Sequence, residues 1–246
     1  MREIQATLES AIGAGINFFD TADIYGQGDS ERTLARLLRR YKERMFVVTK
    51  VGGRHGRYAG IVRRAKPLLR MIVRSRPELR SVVVKARTAT VSQNFSPLGL
   101  MQAVDASRRR LGLERLDGLL LHSPSAETLG TSEIRDFLGD ILHAGKASYV
   151  GVSVDTFEAA EAAIAIPELS MLQAPMDVAE EISKSPVLEQ IRQRNIGFFV
   201  RDVLRKAHEG SSFEQAVSAA ISPDFVSSAI VGVSTRKHLD DLLSVV

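Results

Sequence analysis

The sequence predicts an α/β fold, a (β/α)8 TIM-type barrel, on three observations. Helix-like and strand-like stretches alternate along almost the whole chain. The strand-like stretches are short and mostly apolar, the composition of parallel strands covered on both faces. Several of them also end in titratable side chains: Ile16 to Phe19 runs into Asp20 with Tyr25 just beyond, Met45 to Thr49 into Lys50, and Leu119 to Leu121 into His122. An open doubly wound sheet fits the alternation equally well, but it gathers its chemistry in one crevice at a switch point. Polar groups ending several successive strands belong instead to the C-terminal face of a barrel.

The elements follow in order. Residues 2–14 open as an amphipathic helix that Gly15 can end, and 16–20 form a strand. Ser30 is read as the cap of a helix over 31–41, and 45–50 as the next strand. Ser96 and Pro97 supply the cap and first-turn proline of a helix that reaches Leu111. Strand 117–121, helix 132–144, strand 148–152, helix 156–165 and strand 169–174 come next. Helix 186–194, strand 197–202, helix 212–221 and strand 226–232 complete the series, and a last helix begins near Thr235.

At 246 residues the chain suits one large domain, read as 1–246, with a core of useful size. Charge and apolar content are ordinary for a soluble protein. The absence of cysteine excludes a disulfide framework and a thiolate metal site, and no metal is expected. No apolar run approaches the roughly 18 residues of a membrane span, and the polar first residues do not read as a signal peptide. A cytoplasmic protein that engages neither membrane nor nucleic acid is the expectation.

The charge is uneven. Residues 54–87 hold eleven Lys/Arg and one acid, Glu78, a balance of +10 within a chain whose total is +4. Either a solvated surface element or a surface for an anionic partner produces such a run. No aromatic interleaving or nucleic-acid motif accompanies it. Ile61, Leu68, Leu69 and Ile72 fall at helical spacing within it, so a basic amphipathic helix is expected over 61–73.

An acid, a phenol, an ammonium and an imidazole on one face suggest proton transfer to a carbonyl oxygen. With Asn17-Phe-Phe-Asp-Thr-Ala-Asp-Ile-Tyr-Gly26, Val48-Thr-Lys50, Leu119-Leu-Leu-His-Ser-Pro124, Gly151-Val-Ser153, Gln173 and Ile230-Val-Gly-Val-Ser-Thr235, nearly the whole chain resembles the aldo-keto reductase superfamily. The resemblance implies a barrel that binds NADPH/NADP+, with NADH as the alternative, and no Gly-x-Gly-x-x-Gly turn. It also implies a tetrad of Asp20, Tyr25, Lys50 and His122. Tyr25 would protonate the carbonyl oxygen, Lys50 would lower the phenol pKa, Asp20 would hold Lys50, and His122 would orient the oxygen and donate to its developing charge.

On the cofactor side the resemblance points to Ser153 and Gln173 at the nicotinamide amide, although Val154 replaces the family's asparagine. Arg201 would stand at the ring-stacking position, where a planar guanidinium can stack, with Leu204 shortly after. Gly232, Ser234, Thr235, Lys237 and His238 would form the turn that holds the adenosine 2′-phosphate, and Asp241 the acidic adenine contact, with Leu242 in place of the family's asparagine.

Two departures from the family stand out. The sequence opens in what matches the family's first helix and ends soon after its last helix begins. The first strand and part of the last helix are therefore expected to be missing from the barrel. A sequence shortened at its start, a filling strand at Ser81-Val-Val-Val-Lys85, or an open barrel closed by a second copy would each account for the gap. The other departure is the basic insertion at about 52–95, whose position after a catalytic strand suggests a wall of the substrate pocket and an anionic substrate. The expected activity is reversible NADPH-dependent reduction of a small-molecule aldehyde or ketone. The alternative is a catalytically weak or inactive NADP(H)-binding regulatory or redox-sensing protein.

Overall fold

The computed structural model of the chain describes residues 2–55, 91–204, 211–233 and 235–245. Helix α1 (Arg2–Gly13) buries Ala11 and Ile12, and Gly15 then turns the chain at φ +96°, a conformation that a Cβ would strain. After β1 (Phe18–Asp20) a single 3-10 turn over Tyr25–Gln27 leads into α2 (Asp29–Tyr41). This helix starts before the predicted Ser30 cap. Gly28 occupies the cap position at φ 81°, and the Ser30 hydroxyl accepts a hydrogen bond from Thr21 Oγ1 at 2.8 Å instead. Strand β2 (Phe46–Val51) runs straight into β3 (Gly53–His55), which pairs antiparallel with β4 (Val91–Gln93) as a two-stranded ribbon. The helix expected over 61–73 and the candidate strand Ser81–Lys85 lie outside the described residues.

Helix α3 (Pro97–Leu111) is capped as predicted, the Ser96 hydroxyl accepting from Gly99 N at 3.3 Å. Strand β5 (Leu116–His122), a short α4 (Ala126–Leu129), α5 (Ser132–His143) and β6 (Ala147–Ser153) follow. Next come α6 (Phe157–Ile164), β7 (Met171–Pro175), α7 (Met176–Ile182), α8 (Val187–Gln193) and β8 (Gly197–Arg201). The described chain closes with α9 (Phe213–Ile221), β9 (Val226–Ala229) and α10 (Arg236–Leu243). Helices α4 and α7 are additions to the predicted elements; α4, at four residues, is too short to show a helical period. The strand expected at 226–232 is trimmed to Val226–Ala229. Its pairing with β8 shifts register at Phe198/Phe199 and ends with Val200↔Ala229.

Among the described residues seven parallel strands form one sheet in the order β1-β2-β5-β6-β7-β8-β9. It is curled into a half-barrel. The ring of Phe18 on β1 stacks on Phe199 of β8 with centroids 4.6 Å apart, although the two strands stand far apart in the order. Phe18, Phe46 and Ile230 pack with buried Val48, Leu120, Met171 and Phe199 inside the curl, while a larger apolar layer separates the sheet from its helices. Gly151 permits this curvature, because a Cβ there would collide with the Met171 carbonyl of the neighbouring strand. Parallel strands covered on both faces explain the apolar runs. Edges β1 and β9 pair with no further strand among the described residues. No described helix is long and apolar enough to cross a membrane.

Candidate active site

Parallel register brings the polar strand ends to one face. Asp20 closes β1, Lys50 stands next to last in β2, His122 closes β5, and Ser153 closes β6 beside it through the His122↔Ser153 pair. The Lys50 ammonium is 1% exposed and donates to Asp20 Oδ2 at 2.5 Å and to the Thr21 carbonyl at 3.3 Å. The other Asp20 oxygen accepts from Gln173 Nε2 at 3.3 Å, and Gln173 Oε1 accepts from the Ser153 hydroxyl at 2.9 Å. One buried network thus joins β6, β7, β1 and β2 across the top of the curl.

Tyr25 hangs over this network. Lys50 Nζ lies 5.3 Å from its ring centroid, and the His122 ring stands edge-on at 5.8 Å and 86°. From the sequence, Lys50 is expected to lower the phenol pKa. In the structure desolvation, then Asp20, push it up to about 12, with Arg201 opposing. Burial is the larger cause and the Asp20 carboxylate the next, while burial also holds the Lys50 ammonium, paired with that carboxylate, below the usual ammonium range. Tyr25 as a residue remains 41% exposed and lines a cavity, so its desolvation is that of a walled cleft and not of a sealed core. Burial, then the Lys50 charge, lower His122 to about 4, and its buried Nδ1 has no hydrogen-bond partner. Near neutral pH the site therefore presents a protonated phenol and an uncharged imidazole.

A cavity of about 1420 Å³ opens in front of these groups and continues between β1 and β9. Among the residues predicted for the cofactor, Ser153, Gln173, Arg201, Leu204 and Gly232 line it. Arg201 is clamped. It pairs with Asp155 and Asp202 and donates to the Val154 carbonyl at 2.8 Å, while its Nε is buried without a partner. Thr235 caps α10, its hydroxyl accepting from His238 N at 3.2 Å. Lys237, His238 and Asp241 are exposed on the first turns of that helix and do not line the cavity. Ser234 lies outside the described residues.

The volume, the buried amide and hydroxyl, and the clamped guanidinium suit a dinucleotide whose polar ring end faces Ser153 and Gln173. Asp155 and Asp202 were missed from the sequence. The available signal was their position just past strand ends on the catalytic face. Ser123 and Asp202, each one residue past a strand, hold left-handed backbones at φ 55° and 58°, a local strain typical of functional loops. Among the described residues no cluster of three or more His, Asp or Glu could hold a metal ion.

A sequence model of the aldo/keto reductase family matches residues 1–207. The chain is 26% identical over 197 residues to the aldo-keto reductase yakc [NADP(+)] of Schizosaccharomyces pombe, covering 78% of this chain and 49% of that protein. It is 31% identical over 134 residues to D-threo-aldose 1-dehydrogenase of a Pseudomonas species, covering 52% of this chain and 36% of that one. The chain thus spans about half or less of the length of these curated relatives. In three dimensions it is similar to the holo form of an aldo-keto reductase from Bacillus halodurans. The TM-score is 0.76 at 16% identity, over 98% of this chain and 80% of that one. At that identity the likeness speaks for the fold alone.

Proposed function

The chain belongs to the aldo/keto reductase family, and from that premise we propose that it reduces an aldehyde or ketone with NADPH. The observation that carries the proposal is the protonated Tyr25 phenol, open to the cavity between His122 and the Lys50–Asp20 pair. NADPH, when bound, would supply the hydride. The residues supply the rest. Ser153 and Gln173 would orient the carboxamide, and the 2′-phosphate would fall to the turn around Thr235, Lys237 and His238. The neutral His122 would donate to the carbonyl oxygen and set its direction. Tyr25 O–H would give that oxygen its proton as the carbon is reduced, leaving a phenolate beside the Lys50–Asp20 pair.

A phenol near pKa 12 is a weak acid, so the proton must move as charge builds on the oxygen rather than before. The expected consequence is that Tyr25→Phe lowers kcat by at least about a thousandfold with NADPH affinity within about twofold. Steady-state kinetics with calorimetric NADPH titration reads both. An equal loss of both would remove Tyr25 from the donor role. The second reading, an NADP(H)-binding protein without turnover, draws on the clamped Arg201 and the altered residue Val154. Tight NADPH binding by a chain inert toward every aldehyde tried would favour it.

A further inference from the structure

Gln93, the last residue of β4, connects the catalytic ends of two strands at a level where their own ladder has stopped. Pairing between β2 and β5 ends at Val51↔Leu121. Among the described residues His122 has a strand partner on its other side alone, in Ser153. The next residue, Ser123, takes the left-handed backbone at φ 55°, with its amide donating to the Ser153 carbonyl at 2.8 Å. Its carbonyl accepts from Gln93 Nε2 at 2.7 Å. Ser123, the residue that follows His122, is therefore held on both of its flanking peptides, by β6 at its amide and by Gln93 at its carbonyl.

Gln93 itself is well placed to act as a fixed point. It pairs with Gly53, and the following Asn94 amide donates to the Gly52 carbonyl at 2.8 Å. Gly52 at φ +108° lies against the Phe95 ring, and a Cβ on Gly53 would come within 2.8 Å of Ile24 Cγ2. The ribbon is thus wedged against the residue before Tyr25 and is continuous with the strand that carries Lys50. The His122 ring packs edge-on against Tyr25, but its Nδ1 is buried without a hydrogen-bond partner to fix it. An uncharged ring with an orphan nitrogen depends on its backbone for direction.

We propose that Gln93 is a positioning residue for carbonyl reduction: by holding the Ser123 carbonyl it sets the aim of His122 relative to Tyr25. This rests on the roles given to Tyr25 and His122 above. Gln93 does not line the cavity, whereas Ser123 and His122 do, so its effect belongs in turnover and not in cofactor binding.

Gln93→Glu keeps the length and removes the donor at neutral pH, while Gln93→Lys keeps a donor with similar reach. With 4-nitrobenzaldehyde and NADPH, Gln93→Glu is expected to lower kcat about fivefold, equivalent to about 1 kcal/mol. Its NADPH dissociation constant and melting temperature should match the wild type, and Gln93→Lys should recover kcat to within about twofold. Equal kcat in Gln93→Glu and wild type overturns the proposal. So does a loss shared by Gln93→Lys, or one accompanied by weaker NADPH binding or a lower melting temperature. A wild-type chain that binds NADPH but leaves the aldehyde untouched overturns the reading of the site, and this role with it.

Discussion

At the scale of single residues, the site is governed by charges that cancel at short range. Lys50 and Asp20 are so close that each mainly serves the other, and the phenol responds to burial more than to the ammonium. Asp23, two residues before Tyr25, has no such partner. Its Oδ1 is buried without a hydrogen bond, and burial, then repulsion from Glu31, raise its pKa from 3.8 to about 7 against the pull of Arg110. Between those two values the unfolded chain releases a proton that the folded chain retains. The folded state is therefore favoured at low pH and loses that advantage as pH climbs from 3.8 to about 7. Asp23→Asn removes the titration. Its stability relative to wild type should improve by about 2 kcal/mol between pH 5 and pH 8. Urea unfolding at both pH values reads the difference, and a gap that does not change with pH would show that Asp23 keeps an ordinary pKa.

At the scale of elements, helices are fastened to the sheet by side chains that collect backbone groups. Glu31 on α2 is fully buried, accepts from Thr49 Oγ1 at 2.7 Å and pairs with Arg110 of α3, so the strand carrying Lys50 is locked to two helices. Arg194, just past α8, gathers the carbonyls of Ile164 at 2.5 Å, Ile166 at 2.8 Å, Pro167 at 2.9 Å and Leu169 at 3.3 Å. Those carbonyls end α6 and lead into β7, the strand of Gln173. Arg194→Ala should cost about 1–2 kcal/mol, because the residue is exposed and its hydrogen bonds are only partly buried, so water can replace part of what it donates. Thermal melts would show it. Arg194→Lys should recover little of that loss, since one ammonium cannot span four carbonyls.

At the scale of the whole molecule, the curl matters most, because it brings β1 over the far side of the sheet. Among the contacts that cross the interior are Phe18 on Phe199, and Asp20 to Gln173. The first lies two residues from the second along β1. Phe18→Ala should therefore destabilise the fold by about 2–3 kcal/mol, less than a fully buried phenylalanine would. It should also lower kcat, since Asp20 would lose its registration. A stability loss with unchanged kcat would show that Asp20 is held by Lys50 alone. Among the described residues β1 and β9 pair with no further strand, which leaves this part of the sheet dependent on such interior contacts.

The sequence by itself determined the alternation of elements, the apolar strands and the residues that end them. These are local properties: strand composition, the Ser96-Pro97 cap and the order of Asp20, Tyr25, Lys50 and His122 need no knowledge of distant neighbours. It left open whether the strands form a barrel or an open sheet on pattern alone, because burial on both faces gives the same composition in either. It placed the Ser30 cap wrongly, since Thr21 competes for that hydroxyl from nine residues away. Only the tertiary structure decided the protonation of the site, the clamp on Arg201 and the reach of Gln93 to Ser123. Each of these depends on groups far apart in the chain and on the dielectric between them, and linear spacing carries neither.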